Sequence, residues 1–307
     1  MKNVFKSITF LLIFVFFIYI LNYLLIPKYE LLKPVSFEIS GEKDDTIDVI
    51  FLGDSLVYSS VSPMEIWNEY GYTSFDCAEP AQILPDTYDY LKFAVKHQHP
   101  KIVMLEANVL FRNPKKRTMD TALAQAFRRY VPISVYHNNW KSYLQKGSME
   151  NWINIDKGYK FIPQVKPSNR KKNYMAYTDR KESIPKNNFK YIEKIIKLCE
   201  KNDIKLILVG FPSQASWRYN KHNAATAVAE KYDLEFINLN LEKLDIDWKK
   251  DTKDKGSHLN NSGSKKVSKF IGNYLKNTNL LEDHRKDSEY EDWNTAYKLY
   301  LNHPVQK

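Results

Sequence analysis

Cysteine and glycine are both scarce in this chain of 307 residues. Its two cysteines, Cys77 and Cys199, cannot build a disulfide framework, and they lack the companion ligands that a structural zinc site needs. The nine glycines exclude collagen-like and glycine-rich low-complexity chains. With 43% hydrophobic and 27% charged residues, the composition predicts a sizeable buried core rather than a disordered chain.

Acidic residues are fewer than basic ones, 36 against 46, which leaves a formal net charge of +10. A basic chain favours anionic surroundings. Charge alone does not choose among nucleic acid, anionic lipid and an anionic polymer.

Charged residues are absent from residues 7–26, where 20 mostly apolar residues follow one another. This is about the length that crosses a bilayer. The residues that follow are bulky and end in Pro27, whereas a cleavable signal peptide has small residues there. The run predicts an uncleaved membrane anchor, with a buried core helix as the alternative. Lys2 and Lys6 favour a cytoplasmic N-terminus and a single-pass protein in the cell membrane, with the catalytic domain extracellular. An anchored chain is not expected to bind nucleic acid.

Beyond a mixed polar stalk at residues 27–45, short apolar strand patterns alternate with amphipathic helix patterns. The predicted strands cover residues 47–52, 73–77, 101–105, 204–209 and 234–239, and the predicted helices cover residues 63–70, 85–98, 187–202, 223–231 and 262–275. This alternation predicts an α/β fold with a mostly parallel sheet and helices on both faces. The predicted divisions are an anchor (1–26), the stalk, a catalytic domain (46–280) and a helical tail (281–307), whose helix pattern covers residues 289–301.

The alternation is interrupted by an insertion at about residues 109–185. Residues 109–149 carry eight basic side chains and only one acid, Asp120, for a net charge of +7. A helix pattern covers residues 118–130 and includes Arg128 and Arg129. Long insertions in α/β folds often carry partner contacts, so these two arginines are candidate substrate-binding residues. A solvated surface is the alternative.

Two polar segments carry the candidate chemistry. The first predicted strand runs into Gly53-Asp54-Ser55-Leu56, which places Ser55 at the carboxyl edge of the sheet, where such folds bind ligands. His258 lies in a short polar loop before the helix predicted at 262–275, with Asp254 four residues earlier. A carboxylate on the same loop can orient an imidazole that deprotonates a serine.

Together, these two segments resemble the SGNH/GDSL hydrolase family over about residues 47–275. The resemblance implies a three-layer, flavodoxin-like parallel sheet, with Ser55 as nucleophile, His258 as base and Asp254 as its orienter. The family usually places the carboxylate three residues before the histidine, where this chain has Lys255. Asp251 is therefore an alternative orienter.

The family's two other motifs are altered in this sequence. The resemblance implies an oxyanion hole formed by the backbone N–H groups of Ser55 and Ala78 and by the side chain of Asn108. Ala78 stands where the family has glycine, and Asn108 keeps the asparagine of a motif that has lost its glycine and aspartate. These departures indicate a divergent member, or a degenerate fold without activity.

Within the family, the chain resembles the membrane-anchored DltD/AlgX-like branch. The shared features are the anchor, the strand after His99-Pro100, the Phe211-Pro212-Ser213 segment and the loop at residues 258–260. The resemblance implies O-acylation, with acetyl favoured over D-alanyl, of a cell-envelope or secreted polysaccharide or wall polymer, with a membrane-bound O-acyltransferase as partner. The alternatives are a carbohydrate esterase and a non-catalytic envelope scaffold that binds an anionic polymer.

Two further segments have other interpretations. Trp217 is a candidate for stacking on sugar rings, with packing in the core as the commoner alternative. His97-Gln98-His99 has the residue types of a metal pair, but side chains two apart at a helix end do not face each other. The sequence therefore predicts neither a metal nor a cofactor.

Overall fold

The computed structural model describes residues 2–25, 38–113, 155–170 and 173–302. The chain divides into two units, Met1–Gly41 with Arg117–Ile153 and Glu42–Lys116 with Asn154–Lys307. The helix predicted at 118–130 and the side chains of Arg128 and Arg129 lie outside the described residues. The boundaries predicted from the sequence stay a prediction.

In the first unit, helix α1 spans Lys2–Leu25. Its 24 residues extend about 36 Å at about 1.5 Å per residue, which exceeds the hydrocarbon thickness of about 30 Å. None of the stretch Val4–Leu21 is buried. By length and composition, α1 is therefore able to cross a membrane.

The second unit is built on five strands: β1 (Val49–Gly53), β2 (Ser74–Ala78), β3 (Ile102–Glu106), β4 (Lys205–Gly210) and β5 (Glu235–Asn238). Their order is β2-β1-β3-β4-β5, and every neighbouring pair is parallel. Each strand begins within two residues of its predicted position, because buried parallel strands are short apolar runs.

The described helices of this unit are α2 (Val57–Ser60), α3 (Pro63–Tyr70), α4 (Leu84–Ala94), α5 (Lys186–Lys201), α6 (Tyr219–Tyr232), α7 (Asn261–Asn277) and α8 (Glu291–Leu301). From α3 and α7, Ile66 and Val267 join Phe51 of β1 in one core cluster. The strand neighbours Ile50 and Leu52 are also fully buried, while α4 and α5 pack together and contact the sheet. The predicted α/β class is confirmed, because apolar strand residues on both faces require helices on both.

The C-terminal tail is part of the second unit. Helix α8 contacts α3, and the rings of Trp67 and Trp293 lie 5.3 Å apart with Trp293 buried. The hydroxyl of Ser62, at the start of α3, hydrogen-bonds the Tyr300 hydroxyl at 3.2 Å and makes no capping bond. The tail thus stabilises the helix that follows the candidate serine.

The described end of the predicted insertion runs along the second unit and has no regular secondary structure before α5. At residues 155–170 its backbone bonds to β2 through Asp76 N–H and Lys157 C=O at 3.0 Å, and to the start of α7 through Asn261 N–H and Ile162 C=O at 3.1 Å. This segment therefore links the edge strand β2 to the helix after the His258 loop.

Candidate active site

Ser55 lies two residues beyond β1, in a turn that has room only for glycine at its start. A Cβ on Gly53 would lie 2.4 Å from Glu106 Cβ, closer than real carbon atoms approach. Asp54 is fully buried and its Oδ1 accepts the Leu56 N–H at 2.8 Å. The turn is thereby held in place while Ser55 stays partly exposed.

The structure brings Ser55, His258 and Asp254 into one hydrogen-bonded row. The distance from Ser55 Oγ to His258 Nε2 is 2.7 Å, and that from His258 Nδ1 to Asp254 Oδ2 is 2.5 Å. An ionised carboxylate only accepts hydrogen bonds, so Nδ1 carries the proton and donates it to Asp254. His258 Nε2 is then left to accept the hydroxyl proton of Ser55.

Asp254 holds both the imidazole and the backbone of the same histidine. Its Oδ1 accepts the His258 N–H at 2.7 Å, so one carboxylate makes two bonds to His258. Burial raises the pKa of Asp254, but the hydrogen bonds from His258 outweigh it, and the pKa is lowered overall. The carboxylate therefore stays ionised at neutral pH.

The loop between Asp254 and His258 turns through two left-handed residues. Lys255 has φ 62° and Gly256 has φ 86°, which bends the chain back so that Asp254 still reaches His258. The Thr252 hydroxyl donates to His258 C=O at 2.9 Å and accepts the Gly256 N–H at 2.8 Å.

More distant segments also hold this loop. Lys255 N–H donates to Lys166 C=O at 3.0 Å, and Ser213 Oγ donates to Ser257 C=O at 2.8 Å. The described end of the insertion therefore supports the histidine loop.

Asp251, the alternative orienter, is buried away from His258. Its carboxylate accepts from Ser262 Oγ, Lys266 Nζ and the Asp247 N–H, each at 2.7 Å. Burial raises the pKa of Asp251, but these hydrogen bonds lower it by more, so the pKa is lowered overall. All its hydrogen bonds go to the start of α7 and the loop before it, so Asp251 is a structural residue.

The predicted oxyanion-hole residues reach the same edge of the sheet. Ala78 ends β2 directly opposite Gly53, and Asn108 follows β3. The Asn108 Nδ2 donates to Asp54 Oδ2 at 3.2 Å, and its Oδ1 accepts from Lys221 Nζ at 2.7 Å. An amide nitrogen carries two hydrogens, so one remains for a developing oxyanion. Their role as oxyanion donors stays a prediction.

Beneath the turn lies a group of ionisable side chains that the sequence did not single out as a set: buried Asp54 and Glu106, and partly exposed Arg112. Arg112 donates to Asp54 Oδ2 through Nε, at 2.7 Å, and through Nη2. Glu106 Oε1 accepts the Asn108 N–H at 2.5 Å, and burial, then the charge of Asp54, raises the pKa of Glu106 well above its usual range. Arg112 is thus a structural partner of the turn, although the sequence only counted it within a basic run.

Trp217 is a core residue rather than a sugar platform. Its indole is fully buried, and its ring centroid lies 6.3 Å from that of Phe111 in an edge-to-face arrangement. An indole with no exposed face cannot stack on a substrate, so the substrate-binding prediction for Trp217 is wrong and the packing alternative holds. Arg128 and Arg129 lie outside the described residues.

Tyr58 is a neighbour of the serine that the sequence did not indicate. Burial raises the pKa of its hydroxyl, against an opposing hydrogen bond with Ser55. The ammonium groups of Lys160 and Lys253 lie 4.3 Å and 5.7 Å from the centre of the Tyr58 ring. The sequence pattern does not predict this contact, because an aromatic residue at position 58 is equally expected in an ordinary core.

The part of the chain that the structure describes contains no group of three or more His, Cys, Asp or Glu side chains placed to hold a metal ion. Cys77, the thiol on β2, is buried, as is Cys199 on α5.

No protein-family model matches the chain, and no curated protein matches it. Solved structures do. A family 3 carbohydrate esterase from Clostridium thermocellum is 12% identical and covers 76% of this chain and 97% of its own, with a TM-score of 0.40. A GDSL-like lipase from Bacteroides thetaiotaomicron VPI-5482 is 13% identical and covers 75% and 88%, with a TM-score of 0.38. A carbohydrate acetylesterase family member from Sinorhizobium meliloti is 10% identical and covers 74% and 96%, with a TM-score of 0.37.

Proposed function

We propose that this protein is a membrane-anchored O-acyltransferase of the SGNH/GDSL type, in the DltD/AlgX-like branch. It transfers an acyl group, with acetyl favoured, to a hydroxyl of a cell-envelope or secreted polysaccharide through an ester on Ser55. The observation that carries the proposal is the continuous row from Ser55 Oγ through His258 to Asp254. A serine hydroxyl is a weak nucleophile, and such a row is the arrangement that activates it.

In the first half of the reaction, Ser55 Oγ attacks the carbonyl carbon of the donor ester. His258 Nε2 takes the hydroxyl proton and then gives it to the oxygen of the departing alcohol as the carbon–oxygen bond breaks. Asp254 stays ionised and stabilises the imidazolium through its 2.5 Å bond to Nδ1. The products are the acyl-Ser55 ester and the free donor alcohol.

In the second half, a sugar hydroxyl attacks the carbonyl carbon of acyl-Ser55. His258 Nε2 takes the proton of that hydroxyl and returns it to Ser55 Oγ as the serine leaves. The negative charge on the carbonyl oxygen would be met in both halves by the N–H groups of Ser55 and Ala78 and by the remaining hydrogen of Asn108. Each such donor contributes about 10²–10³-fold to the rate.

The length and composition of α1 support an anchor, and Lys2 and Lys6 support a cytoplasmic N-terminus. The second unit would then lie outside the membrane, where polymer acceptors are found. A membrane-bound O-acyltransferase would supply the acyl group. A protease added to intact spheroplasts should digest the second unit; complete protection would exclude this orientation.

A carbohydrate esterase is the second candidate, with water in place of the sugar hydroxyl. The exposure of the catalytic row favours it, since the side chains of His258 and Asp254 are 25% and 37% accessible in the described part of the chain. Water that reaches the imidazole can be deprotonated as a sugar hydroxyl would be. The two candidates share acyl-Ser55 and differ only in its acceptor.

The test uses the full-length protein in detergent, a fluorophosphonate probe and a neutral acetyl ester. Ser55→Ala should abolish labelling and lower ester turnover by about 10⁵–10⁶-fold. Ser60→Ala is the matched control, because Ser60 is a buried serine of the same segment whose hydroxyl has no partner among the described residues.

Acetylated sugar, measured by mass spectrometry after an oligosaccharide is added, would support transfer, while free acetate alone would support the esterase. Labelling that survives Ser55→Ala would overturn the assignment of the nucleophile. An unlabelled protein that still supports polymer acylation in cells would favour the non-catalytic scaffold.

A further inference from the structure

A cleft of about 360 Å³ opens beside Asn108, at the carboxyl edge of the sheet. Three cationic side chains line it: Arg112 after β3, Arg218 just before α6, and Lys221 in the first turn of α6. The acid among the described lining residues is Glu182, whose Oε2 accepts from Asn220 Nδ2 at 2.6 Å. The lining therefore carries an excess of positive charge.

Each of the three cations keeps hydrogen-bond donors that the described residues do not use. Lys221 Nζ donates to Asn108 Oδ1 and Ser216 C=O, both at 2.7 Å, which leaves one of its three protons. Arg218 uses Nη1 for the carbonyls of Gln214 and Trp217 and keeps Nε and Nη2. Arg112 uses Nε and Nη2 for Asp54 and keeps Nη1. The free donors are of the kind that bind carboxylates and phosphates.

The positive charges in this cleft are balanced only in part by the described residues. Burial lowers the pKa of Lys221 overall; Glu106 and Glu182 oppose the shift, and the neighbouring Arg112 adds to it. Arg112 forms an ion pair with Asp54, and among the described residues Arg218 donates to carbonyl groups alone. A bound anion would offset these like charges.

The cleft is connected directly to the proposed catalytic residues. Lys221 bonds the side chain of Asn108, and Arg112 bonds Asp54, the residue before Ser55. A group bound in the cleft would therefore be held next to the residues that position the serine and the oxyanion. The catalytic row does not itself need three cations here, because Ser55, His258 and Asp254 are already hydrogen-bonded to one another.

We propose that this cleft is a subsite for the anionic group of an acidic sugar, a carboxylate or a phosphate ester, in the polymer that accepts the acyl group. The assignment to the acceptor rests on the proposed function. The binding of an acidic sugar does not, because it requires no turnover. Both candidate groups present oxygens with a spacing that arginine donors match. The test therefore uses a separate probe for each group.

The test measures binding to the full chain carrying Ser55→Ala by isothermal titration calorimetry in detergent. Glucuronic acid and glucose 6-phosphate are the two probes, and glucose is the uncharged control. We expect at least one acidic sugar to bind more tightly than glucose, with an affinity that falls as salt is added.

Arg218→Gln, added to that protein, should weaken the binding by about tenfold or more, because it removes a charged donor. Lys197→Gln is the matched control, because it removes the same charge from an exposed residue of α5 that lies away from the cleft. With Ser55 intact, Arg218→Gln should lose rate with acidic acceptors, whereas Lys197→Gln, outside the cleft, should keep the activity of the parent protein.

Binding of glucuronic acid alone would indicate a uronic acid polymer, and binding of glucose 6-phosphate alone a phosphorylated one. Binding of both would support the subsite without discriminating the group. The proposal is overturned if neither acidic sugar binds better than glucose, or if Arg218→Gln and Lys197→Gln have equal affinity. Should Arg218→Gln fail to fold, the lack of any salt effect on binding to the Ser55→Ala protein would overturn it instead. Acidic-sugar binding by a protein without ester turnover would reject the proposed function but not the subsite.

Discussion

The turn that carries Ser55 and the loop that carries His258 are held in place in different ways. The turn is short and follows a buried strand, and its local contacts are made by Asp54 and the tightly packed Gly53. The loop is more exposed, bends through two left-handed residues and depends on carbonyl and hydroxyl groups from segments far away in the sequence.

The difference shows which half of the site tolerates change. The backbone of the turn is fixed by close packing, so an atom added at Gly53 would have to displace β3. In the loop, the backbone is fixed by hydrogen bonds to flexible or separate segments, such as the bond from Lys255 N–H to Lys166 C=O. Substitutions in the turn should therefore affect folding, whereas substitutions in the loop should affect catalysis first.

After the loss of Ser55 itself, the largest effect is expected from the loop carboxylate. Asp254→Asn should lower turnover of the neutral acetyl ester by about 10⁴-fold with little loss of stability, because the amide no longer selects the tautomer that accepts from Ser55. Asp251→Asn is the comparison variant and should leave the turnover of folded protein nearly unchanged. It should reduce the free energy of unfolding by about 1–3 kcal/mol, because the Asp251 carboxylate accepts three hydrogen bonds, two from α7 and one from the loop before it. Ester kinetics and urea denaturation measure the two effects. The reverse pattern would make Asp251 the orienter.

Asn108→Ala should lower kcat by about 10²–10³-fold and leave KM for the neutral ester largely unchanged, since an oxyanion donor acts in the transition state. Asn202→Ala, at the end of α5, provides a control asparagine outside the site. Initial-rate kinetics on both variants make the comparison. An increase in KM at constant kcat would instead assign Asn108 to substrate binding.

The two glycines test the comparison directly. Gly53→Ala should cost about 1–3 kcal/mol or more of stability, because its Cβ would lie 2.7 Å from Val57 Cγ2 and 2.4 Å from Glu106 Cβ. Gly256→Ala should reduce activity more than stability. Its positive φ is strained for alanine, and its nearest new contacts, at 2.8 Å, are the polar atoms of the Gln214 and Ser168 side chains rather than a neighbouring strand. Denaturation midpoints and turnover, measured side by side, would contradict this division if Gly256→Ala proved the more destabilising.

The smallest effect concerns Asp76 on β2, where the segment that supports the loop is attached. Burial raises the pKa of Asp76 well above its usual range, and neither carboxyl oxygen has a partner among the described residues. Below pH about 3.9 the carboxyl is protonated in both states. Above it the unfolded chain ionises first, so stability falls by about 1.4 kcal/mol per pH unit up to the folded pKa.

Asp76→Asn removes this dependence of stability on pH. The variant should therefore gain stability over the parent protein as the pH of a urea titration is raised from 4 to 8. Glu106, whose pKa is also raised, is unchanged in both proteins and serves as an internal reference. A difference that does not depend on pH would mean that Asp76 is ionised in the folded protein.

Much of the fold follows from local sequence. The strand positions, the α/β class and the helix Pro63–Tyr70 were predictable because buried strands are apolar runs and because proline and glycine favour the two ends of a helix. The anchor-like helix α1 was equally evident, since a long run without charge needs no tertiary contact to be recognised.

The site was only partly predictable. The sequence placed Ser55 at the end of a strand and Asp254 before His258, but it could not choose between Asp254 and Asp251. That choice depends on left-handed backbone at Lys255 and Gly256, which sequence spacing does not reveal.

Trp217 and Arg112 show the same limit from the other side. The sequence offered Trp217 as a candidate for stacking on sugars, with core packing as the commoner alternative, and counted Arg112 only within a basic run. The fold buries the indole and pairs the guanidinium with Asp54. The residue types and their order along the chain determined the sheet, the nucleophile turn and the catalytic candidates, because these depend on neighbours in sequence. Only the tertiary structure decided which carboxylate faces the imidazole and which cations share a cleft, because those contacts join residues that are far apart along the chain.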